Sequence, residues 1–586
     1  MATRRSGSIF LIFFIQRARR THLKQENIDI DENIDFSSRS IATVIATPNK
    51  TPSKKAVDIL YRYQNGLIGT LLFLAALGFN LYRLGTPSIW FDEAYSIELA
   101  RQPLPLLWHL IFGPEPNMEL YYLFLHFWLQ FTGALGLIPT EFLVRLPSAI
   151  FAALSALVLF AFGRRFIGVW AGIIATSVYL LNDLQLIYAQ QTRAYSLQLL
   201  LLCMAWYALF AAFTSRTHAK RWWLCFIAIT TLAFYTQLFS AFIIIAQVIA
   251  VTGLALLPNP WRMQVRKHLF ACAASLLVCG ILSIPMILLS RQGSKTGWLP
   301  IPHLHDIYSL FLTISANSKI YLLLIMVLCG IGLFAALLTH FSPNSQLKTF
   351  LAIQDSGEEG KILSQRLSIA FALLCWLIVP IMLSFILSQG TTRLFSSRYL
   401  VTIVPPLCLL VGLGVAALRL RIVKIGVAIA LIALAAHYTP LYYNSVQVEN
   451  WNTATSWLTQ KYQPGDGLVC YTNVQGCQIS VEYYLSRYQS EARFDPNSPG
   501  AFSWQNNGPI NPTAGYDAAV DPAALATYGD QHPRLFSIVA RLSSNEDVLR
   551  TQTAENWLDS HYHLIGQIVT PTITIRLYVT GTGYHP

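Results

Sequence analysis

Between residues 66 and 440 the chain alternates long apolar stretches with short polar connections. Runs such as Leu67 to Leu84 and Ile320 to Leu338 are long enough, at ~1.5 Å per residue, to cross a hydrocarbon layer ~30 Å thick. They read as transmembrane helices. Eleven spans are predicted, at roughly residues 66–84, 144–163, 167–187, 197–214, 222–237, 239–257, 269–290, 319–340, 367–388, 398–418 and 425–440. A further apolar stretch, Leu120 to Leu137, is short and aromatic, and two readings compete for it: a twelfth span, or a segment that only lies in or dips into the interface.

Loop charge arbitrates between them, because Lys and Arg collect in cytoplasmic loops. With eleven spans the cytoplasmic connections hold Arg164 and Arg165; Arg216, Lys220 and Arg221; Arg262, Arg266 and Lys267; Lys348, Lys361 and Arg366; and Arg419, Arg421 and Lys424. The segment before the first span adds Lys50, Lys54, Lys55 and Arg62, so the N-terminus is expected inside. A twelfth span would translocate every later basic loop. Eleven is odd, which leaves the C-terminal part outside, with external loops at 85–143 and 291–318.

From about Leu441 the pattern changes. A helix-like stretch (Trp451 to Lys461), a strand (Gly467 to Tyr471), a helix (Ser480 to Tyr488), a polar Pro/Gly/Asn-rich stretch (Pro496 to Asp530), a strand (Leu535 to Ala540), a helix (Asn545 to Ser560) and closing strands around Ile565 and Ile573 to Val579 describe a small α/β module. The fold class is therefore an all-α polytopic membrane protein with an α/β C-terminal extramembrane domain. The expected division is a flexible cytoplasmic tail at 1–64, a membrane domain at 65–440 and an external domain at 441–586. The first twenty residues carry arginines around Ile9 to Ile15, too short to span and without a cleavage site, so no signal peptide is expected.

Composition agrees: 54% of residues are hydrophobic and 12% charged, against roughly 25% charged in ordinary soluble proteins. The net charge of +12 does not imply nucleic acid. From Leu441 onward acidic residues outnumber basic ones, so the excess lies in the loops of the membrane region. Of nine cysteines, seven (Cys203, Cys225, Cys272, Cys279, Cys329, Cys375, Cys408) sit in or beside apolar runs as small hydrophobes and show no metal-ligand spacing. Cys470 and Cys477 are expected to pair if their part faces an oxidising compartment.

Candidate chemistry begins just past the first span, where Asp92 and Glu93 stand adjacent in Trp90-Phe91-Asp92-Glu93-Ala94-Tyr95. Acids that close to hydrocarbon are usually functional or paired. The competing reading is a polar helix cap, with Asp92 as N-cap and Glu93 in the first turn. The positive charges outside the inside-positive pattern are few: Arg193, Arg291, Lys295, Arg393 and Arg398. Acids on one loop and guanidiniums on others suit a site where a phosphate leaves and a hydroxyl attacks. The alternative for each arginine is snorkelling to lipid headgroups.

Trp90 to Tyr95, then Asn117-Met118-Glu119-Leu120-Tyr121-Tyr122 with His126 and Trp128, Arg145-Leu146-Pro147-Ser148-Ala149, Gln190 to Leu197, and Ser397-Arg398-Tyr399-Leu400 with Pro405 together resemble the GT-C superfamily of membrane glycosyltransferases. Protein O-mannosyltransferases and lipid A aminoarabinose transferases are the subgroup most similar. The resemblance implies a polyprenyl-phosphate-linked monosaccharide donor, an essential acidic pair in the first external loop, and interfacial helices in that loop. It assigns Asp92 and Glu93 as catalytic, and Asn117, Glu119, Tyr122, Gln190, Gln191, Arg193, Tyr195, Lys295, Arg398 and Tyr399 as substrate-binding. The acceptor would be a lipid, glycan or protein hydroxyl. There are two departures. Glu119 replaces a proline common in relatives, and Gln237 stands where many have a histidine, which weakens any histidine-held metal; no cofactor is assigned and a divalent metal is left open.

The expected chemistry is a single inverting displacement, with Asp92 as general base and Arg193 and Arg398 on the departing phosphate. Rival readings are a lipid or glycan transporter or flippase, a receptor with a ligand-binding external domain, and an oligosaccharide ligase. The lack of an Asn-x-Ser/Thr sequon beyond the first span leans towards a bacterial plasma membrane.

Overall fold

The computed structural model of the chain describes residues 54–115, 117–290, 296, 299–341, 358–445, 449–471, 474–505, 508–510, 522–540 and 545–580. The 1–53 part of the expected tail, Arg291 and Lys295 lie outside them. The membrane region runs α1 (Lys54–Leu81), α2 (Phe91–Arg101), α3 (Leu104–Ile111), α4 (Glu119–Ala134), α5 (Glu141–Phe166), α6 (Val169–Leu180), α7 (Asp183–Ala189), α8 (Tyr195–Thr214), α9 (Ala219–Thr236), α10 (Ser240–Leu256), α11 (Arg262–Leu289), α12 (Leu304–Ile314), α13 (Lys319–Phe341), α14 (Glu358–Leu387), α15 (Ser397–Leu400), α16 (Val404–Ala417) and α17 (Arg421–Ser445).

All eleven predicted spans are helical, but they do not all qualify as crossings. Among the described residues eight helices are long and apolar enough, and α6 with α7 makes a ninth if the pair, bent by 64°, is one span. The other two stretches are α9, which is not among the eight, and the 17-residue α10. Helix α4, with 16 residues, reaches only ~24 Å at ~1.5 Å per residue. The chain is a multi-pass membrane protein, and many large apolar side chains on these helices stay exposed, among them Leu71, Leu277, Phe334 and Ile429.

Apolarity all round marks the central helices. Tyr195–Thr214 and Ser397–Ala417 are almost wholly buried, whereas Tyr63–Leu81 and Arg421–Thr439 are mostly exposed and so form the periphery. Backbones approach closely where glycines meet: a Cβ on Gly163 of α5 would come within 2.6 Å of Gly172 in α6.

The C-terminal module continues as α18 (Trp451–Lys461), β1 (Gly467–Tyr471), α19 (Val474–Arg487), the hairpin β2 (Ser503–Gln505) and β3 (Gly508–Ile510), α20 (Pro522–Gly529), β4 (Arg534–Ala540), α21 (Asn545–His561), β5 (His563–Val569) and β6 (Ile573–Val579). The four-stranded sheet has the order β1-β4-β6-β5. β1 is parallel to β4 (Cys470 opposite Ile538), and β6 is antiparallel to both neighbours (Ile538 opposite Ile575). The Cys470–Cys477 disulfide is present, with an S–S distance of 2.04 Å, and joins β1 to α19. The module's core is not self-contained: Trp451, Leu458, Tyr483 and Tyr484 share one apolar cluster with Ile89, Ala94 and Ile97 around the start of α2 and with Val144 of α5.

Candidate active site

Beyond α1 the chain reaches Trp90 in an extended conformation (φ −105°, ψ 170°), and α2 begins at Phe91. Trp90 is the N-cap and makes no side-chain cap bond, so Asp92 is a helical residue and not the cap that one sequence reading offered. Consecutive residues on an α-helix point about 100° apart. Asp92 and Glu93 therefore face different surroundings.

Glu93 points inward onto Arg145 of α5. Arg145 Nε donates to Glu93 Oε1 (2.8 Å) and Nη2 to Oε2 (2.6 Å), a bidentate pair. The remaining guanidinium hydrogens go to the carbonyls of Leu84 (3.1 Å), Pro87 (2.7 Å) and Ser88 (3.0 Å), so all five donors are used. Glu93 Oε1 also accepts from the Thr192 amide (2.7 Å), which ties in the loop carrying Arg193. The side chains are 3% and 1% exposed. The cavity beside them, lined by Ser88, Trp90, Glu93, Arg145 and Gln191 among others, measures about 20 Å³, too small for a sugar.

Asp92 points the other way, towards two arginines from distant parts of the chain. Arg398 of α15 donates from Nη1 to Asp92 Oδ2 (3.1 Å), and Arg193 Nη2 lies 3.9 Å from the same oxygen. Arg193 is itself fixed, its Nη1 donating to the Asp92 carbonyl (3.1 Å) and Ser96 Oγ (3.0 Å), and its guanidinium lying over the Tyr195 ring. Burial alone would lower the Arg193 pKa, but Asp92, Tyr195 and Tyr122 more than offset this and hold it above the usual arginine value. The side chains of Asp92, Arg193 and Arg398 remain 18%, 11% and 24% exposed.

The other expected site residues divide. Tyr195 lies against Arg193, and Tyr122 is buried beside it, burial pushing its hydroxyl up to about 12. Tyr399 stacks on Phe239 (5.7 Å between ring centres). Gln190 is not brought to the cluster: it donates to the carbonyls of Asn80 and Tyr82 and accepts from Tyr442. Gln191 lines the small cavity on the Glu93 side, and Asn117 is half-buried just before α4. Glu119, the first residue of α4, is fully buried, with no hydrogen-bond partner for either oxygen among the described residues. Burial pushes its carboxyl up to about 8.

Several residues outside the expected set hold this arrangement. Tyr484 of α19 receives the Ile89 amide on its hydroxyl (2.8 Å), bonds Ser88 Oγ (2.9 Å) and donates to Glu141 Oε1 (3.1 Å), which also pairs with Arg487. Glu449 accepts from the Phe91 amide and from Trp451 Nε1. Trp504 of β2 meets the Tyr95 ring edge-on at 5.3 Å. The C-terminal module thus grips the segment that carries Asp92. Arg145 entered the sequence reading only within the Arg145-Leu146-Pro147-Ser148-Ala149 element of the resemblance; Tyr484 and Glu449 carried no local signal.

Among the described residues no three His, Cys, Asp or Glu side chains come together as a metal site. The acids here do not fit one, since Asp92 and Glu93 are each already held by guanidinium cations.

No family model matches the chain, and no curated protein matches it in sequence. Solved structures do. ArnT from Cupriavidus metallidurans in the apo state aligns with a TM-score of 0.52 at 11% identity, covering 87% of this chain and 98% of ArnT. The same protein bound to undecaprenyl phosphate gives 0.47 at 12%, covering 88% and 98%. The oligosaccharyltransferase AglB from Archaeoglobus fulgidus, in complex with an inhibitory peptide and a dolichol-phosphate, gives 0.48 at 11%, covering 90% and 75%. At such identity the likeness is one of architecture: this chain shares the fold of ArnT.

Proposed function

We propose that the protein transfers a monosaccharide from a polyprenyl-phosphate carrier to a hydroxyl acceptor, with inversion, on the non-cytoplasmic face of a bacterial plasma membrane. The observation that carries this reading is the single carboxylate oxygen of Asp92 facing both Arg193 and Arg398. A phosphate brought to the two guanidiniums would draw them off Asp92 through stronger charge-assisted bonds. Asp92 would then be released from them beside the reacting centre.

In the displacement, the acceptor oxygen forms a bond to the anomeric carbon while the carbon–oxygen bond to the phosphate breaks. Asp92 takes the acceptor's proton, a role typically contributing ~10²–10⁴-fold. The electron pair of the broken bond goes to the carrier phosphate, whose added charge Arg193 and Arg398 stabilise. Glu93 acts through Arg145 and Thr192 as a positioning residue, setting α2 and the Arg193 loop at the right separation. The inside-positive loop pattern supports placing this site outside.

A structure with a non-transferable polyprenyl-phosphate sugar analogue tests the assignment. The expected complex has the phosphate between Arg193 and Arg398 and the anomeric carbon facing Asp92. An analogue bound near the bilayer midplane, away from all three, would favour a transporter.

A further inference from the structure

The residues of α2 around Asp92 divide the helix surface into a closed side and an open one. At about 100° per residue, Tyr95 falls about 60° to one side of Asp92, while Ser96 and Glu93 fall about 40° and 100° to the other. Arg193 comes in on the Ser96 side, donating to Ser96 Oγ, and the neighbouring Thr192 amide donates to Glu93. That arc is closed, with Glu93, Ser96 and Ile97 fully buried. The opposite arc stays partly open at Phe91, Asp92 and Tyr95.

Aromatic rings from two distant parts of the chain wall the open arc. Tyr95 meets Phe91 edge-on (5.9 Å between ring centres, 75° between planes) and meets Trp504 of β2 in the same way (5.3 Å, 64°). Trp504 in turn touches Phe502 edge-on (6.1 Å, 81°). None of these contacts is stacked, and Phe91, Tyr95 and Trp504 are each only half-buried. Tyr95 and Trp504 pack both against the apolar core of the spans and against the cluster that the C-terminal module shares with α2, so the two rings are held in place. The module thereby sets an aromatic shelf beside Asp92, on the side away from Arg193.

In an inverting displacement the attacking oxygen enters on the face opposite the leaving group. With the phosphate at Arg193 and Arg398, the acceptor arrives from the other side of Asp92, over Tyr95 and Trp504. Both arginines come closest to Asp92 Oδ2, which leaves Oδ1 for the acceptor's proton. The face of an aromatic ring is electron-rich, and the acceptor group that matches it is the C–H face of a sugar ring. A serine or threonine side chain has no such face. We propose that Tyr95 and Trp504 form an acceptor subsite for a sugar ring, so that the attacking hydroxyl belongs to a glycan. This rests on the transfer reading above and adds to it the acceptor class and a role for the C-terminal module.

The test measures binding without turnover, on the full chain in detergent. Saturation-transfer NMR titrations use the methyl glycosides of glucose, galactose, mannose and N-acetylglucosamine, and a threonine-containing peptide, at millimolar concentration. Polyprenyl-phosphate binding is measured on the same samples. At least one glycoside should receive saturation, concentrated on the C–H groups of one ring face. Trp504→Phe keeps a ring and should keep that signal. Trp504→Leu keeps the apolar packing without a ring face and should weaken glycoside binding about fivefold, which is what ~1 kcal/mol from one aromatic contact supplies. It should bind polyprenyl phosphate as the wild type does. No saturation of any glycoside, glycoside binding unchanged by Trp504→Leu, or Trp504-dependent saturation of the peptide in place of the glycosides would each overturn the subsite while leaving polyprenyl phosphate bound. Glycoside binding as expected in a protein that binds no polyprenyl phosphate would instead fault the transfer reading, and the acceptor role would fall with it.

Discussion

Asp92 and Glu93 are neighbours in sequence, carry the same charge and sit at the same helix N-terminus, yet one lies in a closed site and the other in an open one. Glu93 meets a single guanidinium with two parallel bonds, and that guanidinium spends its other donors on the main chain. No guanidinium donor there is left for a ligand. Asp92 meets two guanidiniums through one oxygen, at 3.1 and 3.9 Å, in partly open surroundings. Such an arrangement is held loosely enough for an anion to rearrange it. Satisfied donors and burial mark a structural pair, whereas shared charge and residual exposure suit the reactive role proposed for Asp92.

The sharpest way to break this distinction is at the closed pair. Glu93→Gln leaves Arg145 buried with half its partner gone, and removing one member of a buried pair typically costs ~3–5 kcal/mol. Thermal unfolding in detergent should show that loss. A Glu93→Gln protein as stable as the wild type would mean that the pair is not structural.

At the open cluster, truncation should spare the fold and weaken the donor. Arg193→Ala and Arg398→Ala each remove charge-assisted bonds to a phosphate, worth ~1.5–3 kcal/mol. Binding of polyprenyl phosphate should fall roughly ten- to hundredfold, with a smaller change in unfolding temperature than Glu93→Gln causes. Unchanged lipid binding in both variants would separate the arginines from the phosphate.

Glu119 extends the comparison to a carboxyl with no salt-bridge partner among the described residues. Its folded value of about 8 lies above the ordinary 4.5. Below about 4.5 both states hold the proton and stability is unaffected; between the two values only the folded state holds it, so stability falls as pH rises. The expected slope is about 1 kcal/mol per pH unit between pH 5 and 8, and Glu119→Gln should flatten it. An identical pH profile in the variant would show that Glu119 is not the group responsible.

Much of this architecture was legible in the sequence because it rests on local pattern. Spans as apolar as Ile320 to Leu338 declare themselves by length, and Trp451 to Lys461 and Gly467 to Tyr471 match the observed elements to the residue. The short β2–β3 hairpin escaped notice because three-residue strands inside a Pro/Gly/Asn-rich stretch carry no alternation to detect. The neighbouring acids stood out, but not their separation into two environments, which depends on Arg145 and Arg398 arriving from 52 and 306 residues away. The grip of Tyr484 on Ser88 and Ile89 spans nearly four hundred residues and has no local sign at all.

The central claim is that Asp92 is the base and not a structural acid, and Asp92→Asn tests it most directly when turnover, donor binding and unfolding temperature are measured on the same preparation. Asparagine has nearly the shape of aspartate but cannot take the acceptor's proton. The account predicts an unfolding temperature close to the wild type, retained polyprenyl-phosphate binding, and transfer slowed by at least about a hundredfold. An Asp92→Asn enzyme that binds its donor and transfers sugar at the full rate would contradict it.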